Sequence, residues 1–415
     1  MTTSRKVAVV RAGFIPLIDS AVILAASVQG FAAAEGVELQ LVPETSWANI
    51  RDKIAVGHLD VAHMLAPMPI ASNLGLNPLA SELIAPMALG TGGNTITLSR
   101  ALWAELQKHG VAEPGEPAAV AGALGNVIEH RRSIAARRLT FGIVHPHSSH
   151  HYELAYVLGF AGVRPDVDVR LAVVPPQLMP DALEAGQIDG FSAGEPWGTI
   201  SAMRGIGTVA LTKSAIWRSS PEKVLGMKRD WARANSDVVA RLIRALYRAA
   251  EWCDAQENRE ELVALLAHPE HLNVAADEIK ASFEGKFAPV MPGSSKSKAI
   301  FTFAAGAASF PWQSHALWFY SQMVRWGQTA FRPEDLDIVR QTFRPDIYRS
   351  ALAPLGVTLP GANAKIEGSL TSAMPVGATK GVLLLGPDGF FDGRTFDPDH
   401  VLDYLAGFNV ATRSN

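Results

Sequence analysis

Cysteine is nearly missing from this chain: Cys253 is the one thiol in 415 residues. No intrachain disulfide can form, and neither can a metal site built on several thiolates. Cys253 lies in Ala249-Ala250-Glu251-Trp252-Cys253, a stretch of helical period, so a packing role is expected. A surplus of positive charge is missing as well. Lysine and arginine total 37 against 40 acidic residues, a net charge of −3, which lacks the basic field that direct nucleic-acid binding needs. The pairs Arg131-Arg132 and Arg137-Arg138 read as solvated faces. Long apolar runs are also missing, since none reaches the roughly 20 residues of a transmembrane helix. What the chain has is globular composition, 48% hydrophobic and 19% charged, enough at this length for two or three domains.

The N-terminus imitates an export signal. Arg5 and Lys6 precede apolar Val7-Ala8-Val9-Val10, and the apolar stretch 21–34 ends in small residues. Arg11 and Asp19 interrupt it. The same residues fit a strand at 7–10, a loop with Pro16, and a helix over 21–35 with Asp19 or Ser20 as its N-cap. On that ground a cytoplasmic location is expected.

Strand and helix patterns then alternate. Strands are predicted at 37–42 and 60–64, with a helix at 47–57 between them. Residues 96–98 are β-like, and an Ala/Gly-rich helical stretch runs over 101–134. A second series follows, with strands at 139–144, 169–174 and 188–191 and helices at 150–158 and 180–185. After Pro221 the chain turns helical, at 231–267 and again at 300–327. Residues 355–390 are rich in Gly, Ser and Ala and read as a mobile segment ending in a strand at 381–385. There is no internal repeat. Alternation of this kind predicts an α/β protein with mostly parallel sheets. Two such series and a helical return fit a two-lobed binding protein, with lobe 1 at 1–98 and 226–415 and lobe 2 at 99–225. Its ligand would sit between the lobes, at strand ends and helix N-termini, and would close them about a hinge.

Three motifs invite an enzymatic or metal reading. Gly190-Phe191-Ser192-Ala193-Gly194 has the Gly-x-Ser-x-Gly spacing of a nucleophile elbow. An elbow must run straight into a helix behind its serine, whereas here Glu195-Pro196-Trp197 follows, so a tight turn at a strand end is preferred. His145-Pro146-His147-Ser148-Ser149-His150-His151 gathers imidazoles, the commonest metal ligands. Pro146 and the adjacent His150-His151 spoil a helical ligand spacing, so no metal or other cofactor is expected. The cluster joins a strand to a helix, which instead presents an imidazole and helix N–H groups to an anion. Thr91-Gly92-Gly93-Asn94-Thr95 lacks the lysine of a P-loop and reads as a close-approach loop beside a small ligand.

Several blocks, in order along the chain, resemble the nitrate- and bicarbonate-binding proteins of ABC importers. They include Gly13-Phe14-Ile15-Pro16-Leu17-Ile18-Asp19, Ser46-Trp47, His63-Met64-Leu65-Ala66-Pro67, Gly194-Glu195-Pro196-Trp197, Pro221-Glu222-Lys223 and Gln313-Ser314-His315. The resemblance implies the two-lobed, type II periplasmic-binding-protein-like fold and no enzymatic activity. Without an evident export signal, the chain is most similar to the cytoplasmic nitrate/nitrite sensors of the NasS type. That branch implies a partner, an RNA-binding antiterminator of the NasT type with an ANTAR domain, released when ligand binds. The alternative is the solute-binding protein of a nitrate or bicarbonate importer. Carried over by position, the family's anion pocket falls on Trp47, Asn94, His150 and Lys223, with Gly93, Thr95, Ser149, Gly194 and Glu195 as secondary cleft residues. The importers carry Gln where Asn94 stands, so the shorter side chain enlarges the pocket or admits a water.

The residue types suit a flat, monovalent acceptor. Lys223 supplies a compact countercharge. One such pair at about 4 Å is worth roughly 4 kcal/mol before desolvation, at an effective dielectric near 20. His150 and Asn94 donate through nitrogen, and Trp47 offers an indole N–H with a flat wall.

Overall fold

The β-rich start, the proline loop and the apolar stretch after it fold as strand, turn and helix in the computed structural model, which describes residues 7–79, 81–287 and 300–408. β1 (Ala8–Phe14) pairs in parallel with β2 (Val37–Pro43), Ala8 opposite Val37 and Phe14 opposite Pro43. Parallel neighbours need a crossover, and the signal-like segment is that crossover. The helix Ala21–Val28 buries Val22, Ile23 and Leu24. It ends sooner than the sequence suggests, because Gly30 takes a left-handed conformation (φ +77°) and only the turn Phe31–Ala34 continues. Neither Asp19 nor Ser20 caps this helix through its side chain. Asp19 turns inward instead, for a reason given below.

Two five-stranded sheets follow. The first has the order β2-β1-β3-β11-β4, where β3 (Val61–Leu65) is parallel to β1 and β11 (Lys223–Lys228) runs antiparallel between β3 and β4 (Leu83–Ala88). The second has the order β10-β6-β9-β7-β8. It comprises β6 (Asn94–Ser99), β7 (Thr140–Ile143), β8 (Arg170–Val173), β9 (Gly190–Gly194) and β10 (Gly207–Thr212). β7 is parallel to both β8 and β9, while β6 is antiparallel to β9 and β10. Each sheet thus has a parallel part and one strand inserted antiparallel, the late β11 in the first and the early β6 in the second, giving the expected two-lobed α/β architecture. The expected boundaries shift. Position 98/99 falls inside β6 and 225/226 inside β11. The chain leaves the first sheet after Ala88, enters the second at Asn94, and returns between Thr212 and Lys223.

Long helical patterns break into shorter helices, two of the three where proline or glycine stands. The stretch 101–134 is two helices, Arg100–Lys108 and Pro117–Ser133, parted by a loop holding Gly110, Pro114 and Gly115. The stretch 231–267 contains Arg229–Ala234, Ser236–Asp254 and Arg259–Ala267. The stretch 300–327 is helical only over Gln313–Arg325. Its start is instead β12 (Phe301–Thr302), paired with β5 (Thr91–Gly92), and Pro311 precedes the helix. Residues 355–390 are structured. β13 (Met374–Gly377) pairs with β14 (Val382–Leu385), and Lys365 is tied to Glu367 and to Asp388, the latter at 2.5 Å. The helix Gln313–Arg325 carries Trp318 and Phe319, both buried, which pack on Tyr156 and Tyr152 of lobe 2. Phe390 of the tail stacks on Trp217, ring centroids 4.6 Å apart. Among the described residues no helix is long and apolar enough to cross a membrane.

Candidate functional site

The two segments that pass between the lobes pair with each other. Leu89 donates its N–H to the Lys223 carbonyl at 2.8 Å, Gly92 to the Ser220 carbonyl at 3.2 Å, and Thr91 bridges Pro221. Asn94 stands at the end of one crossing, and Lys213, Glu222 and Lys223 lie along the other. This pairing is what converges polar side chains from distant parts of the sequence between the lobes.

The glycines of the first crossing serve the backbone. A Cβ on Gly92 (φ +83°) would stand 2.0 Å from the Ile300 carbonyl oxygen, and one on Gly93 (φ +87°) 2.3 Å from the Phe301 ring. The close approach is therefore to β12 and the residues beside it, where the sequence suggested a ligand. Gly93 donates to the Ile300 carbonyl and accepts from the Glu195 N–H.

Lys223, buried at the start of β11, holds Asp19 Oδ2 at 2.6 Å and pairs with Glu222. Its ammonium lies 5.3 Å from the centre of the Trp47 ring. Lys213, equally buried, pairs with Glu222 and lies 2.6 Å from Glu153. Asn94 donates its amide to Glu222 at 2.5 Å and to Glu153 at 3.1 Å, and the Ser149 hydroxyl donates to Glu222. His150 Nε2 is 3.5 Å from Glu222 Oε1. His63 Nε2 is 3.0 Å from Asp19 Oδ1, though off the line of a good hydrogen bond. The geometry thus brings Trp47, Asn94, His150, Lys223 and Ser149 together.

It also adds five residues the site prediction left out: Asp19, His63, Glu153, Lys213 and Glu222. Three of them sat inside the blocks that carried the resemblance. Lys213 had no sequence signal, because its role arises only from the pairing of the two crossings.

Helix geometry places the histidine cluster. Ser148 caps the helix Ser149–Phe160, accepting from the His151 N–H at 3.1 Å. One turn of helix then aims His150 at Glu222 and Glu153 at Lys213. His147 turns instead to Gln328, 3.2 Å away, and His151 to the Pro146 carbonyl at 2.7 Å. Among the described residues no group of three or more His, Cys, Asp or Glu is arranged to hold a metal ion. Thr95 and Glu195 leave the cluster. The Glu195 carboxylate accepts from Thr95 Oγ1 at 2.8 Å, from the Thr199 N–H at 3.0 Å and from Ser282 Oγ at 3.1 Å. Gly194 lies against Leu17 and Asp19, and the Ile18 N–H donates to the Glu195 carbonyl at 3.0 Å, joining the lobes.

Burial and charge sort the protonation states. Burial pushes the Asp19 carboxyl up, but Lys223 and His63 outweigh it and hold it at about 2. Burial likewise raises Glu222, and Lys213 with Lys223 drives it well below the ordinary value. Glu153 is raised to about 7 by burial, only partly offset by Lys213, with Glu222 adding repulsion. Burial lowers His150 to about 3, so its ring is neutral at ordinary pH and carries one N–H. Trp47 Nε1, both ring nitrogens of His63 and of His150, Asn94 Oδ1 and Asp19 Oδ1 are buried without a hydrogen-bond partner among the described residues. Each such group costs about 1–3 kcal/mol when unpaired, so their concentration beside two lysines marks a place built for a polar ligand.

The sequence profile of the NMT1-like family matches residues 4–267. The chain belongs to the NMT1-like family. This NMT1-like chain is 30% identical over 407 residues to the nitrate/nitrite binding protein NrtA of Nostoc sp., covering 96% of this chain and 85% of that one. It is also 30% identical over 399 residues to the bicarbonate transport ATP-binding protein CmpC of Synechocystis sp. That match covers 95% of this chain and 54% of the longer relative. The crystal structure of the periplasmic nitrate-binding protein NrtA from Synechocystis superposes with a TM-score of 0.84 at 26% identity, covering 97% of this chain and 99% of that one. The NMT1-like fold here is therefore that of periplasmic binding proteins, and the family is one of solute-binding proteins rather than enzymes. Ser192, the serine of the elbow-like motif, is fully buried in mid-strand in β9.

Proposed function

We propose that the protein binds a small oxyanion of the nitrate, nitrite or bicarbonate class between its lobes and delivers it to an ABC-type importer. One observation carries the ligand class: the unpartnered N–H groups of Trp47 and His150 beside the Lys223 ammonium, all buried at the crossing between lobes. A planar oxyanion offers acceptor oxygens in its own plane to such donors. Asn94 Oδ1 and Asp19 Oδ1 add acceptors, which suit the O–H of bicarbonate. The names of the relatives support the importer component. They favour it over the cytoplasmic sensor with an antiterminator partner that the sequence alone put first.

Isothermal calorimetry of the purified protein with nitrate, nitrite, bicarbonate and chloride tests the ligand. Heat with at least one of the first three, and none with chloride, is expected. No heat with any of the first three overturns the proposal. Cell fractionation and affinity purification separate the partners. Recovery with ABC-type membrane components supports the importer, and a stable soluble complex with an RNA-binding protein supports the sensor.

A further inference from the structure

The anion site is already negative before any ligand arrives. Three buried carboxylates, Asp19, Glu153 and Glu222, face two buried lysines, Lys213 and Lys223. His63 and His150 stand beside them with burial disfavouring their charged forms. A nitrate ion would bring a second uncompensated negative charge into a place shielded from water, where like charges are costly.

We infer that an oxyanion enters this site together with a proton, and that the carboxylate of Glu153 is the group that takes it. This inference rests on the oxyanion reading above.

Geometry selects Glu153. Asp19 has Lys223 at 2.6 Å with His63 at its other oxygen. Glu222 is gripped by both lysines and accepts from Asn94 and Ser149. Glu153 has only Lys213, which it shares with Glu222, and one good bond from Asn94, also shared. The charged groups that face it are Lys213 and Glu222 on the second crossing; Lys223 on β11, His150 on the same helix, and Asp19 and His63 from lobe 1 stand beyond them and act on Glu222. Its carboxyl sits at about 7, so the proton is exchanged within the ordinary range. The direction follows from linkage. Below that point Glu153 is already protonated and the anion binds without a proton. Above it each anion must draw a proton from solvent, so affinity falls as pH rises, by about tenfold per pH unit. The proton passes from water to a Glu153 oxygen, and the Lys213 ammonium, freed of one carboxylate, turns its charge to the anion.

Calorimetry with nitrate in two buffers of different ionisation enthalpy at each pH, MES and histidine at about pH 5.5 and Tris and bicine at about pH 8.5, tests this. At the higher pH the observed heat should depend on the buffer, with uptake of about one proton per nitrate, and the affinity should be lower by tenfold or more. At the lower pH the uptake should vanish. Glu153→Gln should abolish the uptake at high pH and bring the affinity there up to the low-pH value. Should that variant fail to fold, the buffer dependence of the unaltered protein decides alone. Nitrate heat that is independent of buffer, with pH-independent affinity, overturns the inference and leaves the oxyanion reading standing. No heat at either pH with nitrate, nitrite or bicarbonate overturns both.

Discussion

Two buried ionic clusters in this molecule have the same charge excess and different fates. In the tail, Glu367 and Asp388 face Lys365, with neutral His315 beside them. Between the lobes, three carboxylates face two lysines. In the tail cluster each carboxylate has a donor of its own, although both ring nitrogens of His315 lack a partner among the described residues, as those of His63 and His150 do. Glu367 accepts from Ser314 Oγ at 2.6 Å, and Asp388 from the Leu370 N–H at 2.8 Å. Burial raises Glu367, but Lys365 and His315 outweigh it and hold the carboxyl at about 2. The interlobe cluster shares its donors, leaves Glu153 at about 7, and keeps unpartnered nitrogens on Trp47, His63 and His150. A count of charges therefore does not mark a functional site here. The supply of hydrogen-bond donors does: a carboxylate with its own N–H and O–H partners is structure, and one that must share is poised to change.

Removing a lysine from each cluster should separate these roles. Lys223→Ala leaves Asp19 and Glu222 buried with fewer counter-charges, so a loss of about 3–5 kcal/mol in stability is expected along with loss of anion binding. The pairing with Asp19 and Glu222 makes a stability cost the expected result. The deficit has a sign in pH. Asp19, held at about 2 against an ordinary 3.8, contributes stability that is present above pH 4 and lost as pH falls through 2. The deficit of Lys223→Ala should therefore be full at neutral pH and shrink in acid, as read by denaturant melts across pH. Lys365→Met should cost about 1–3 kcal/mol, because Lys365 is less enclosed, and leave nitrate affinity unchanged. An affinity loss in the tail variant would erase the distinction between the clusters.

The sequence carried the alternation of strands and helices and half of the residues that gather between the lobes, and its misses have physical causes. Trp47, Asn94, His150 and Lys223 converge because each sits at an element start or a crossing, which local pattern and resemblance both mark. β4, β5, β10, β11, β12 and β13 were not foreseen. Leu83–Ala88 is continuously apolar with a proline, so period carries no signal there, and Met374–Gly377 is a short, exposed strand that exists only by pairing with β14. Lys213 looks like a surface lysine in sequence. It becomes a site residue only because residues 89–93 and 213–222 run side by side. Asp19 was assigned to a helix cap because that is what Asp does before an apolar helix, and a buried ammonium more than 200 positions away outbids a local N–H.

A smaller effect tests how the two lobes are held. Ser282, on the helix Ala276–Glu284 that follows the return to lobe 1, donates to Glu195 of lobe 2. This bond belongs to neither ionic cluster and exists only when the lobes meet. Ser282→Ala should cost about 1 kcal/mol of the closed arrangement, seen as roughly fivefold weaker nitrate binding with little change in the ligand-free melt. An unchanged affinity would mean that the contact is made equally in the open protein.

The smallest effect concerns the serine that looked catalytic. Ser192 Oγ is buried in β9 with no partner, flanked by residues paired to β6 and β7. Because the hydroxyl is already unsatisfied, Ser192→Ala removes a cost rather than a bond, and a gain of up to about 1 kcal/mol in stability is expected with unchanged nitrate affinity. Thr97 Oγ1, on β6, is buried and unpartnered in the same way. Unpaired polar atoms thus occur inside the second sheet as well as between the lobes. What separates the two places is charge: the interlobe set surrounds buried ammonium groups and crosses two lobes, whereas Ser192 stands in a strand with no ion beside it. A drop in nitrate affinity in Ser192→Ala would show that this hydroxyl communicates with the cluster through β9, and would extend the site into the sheet.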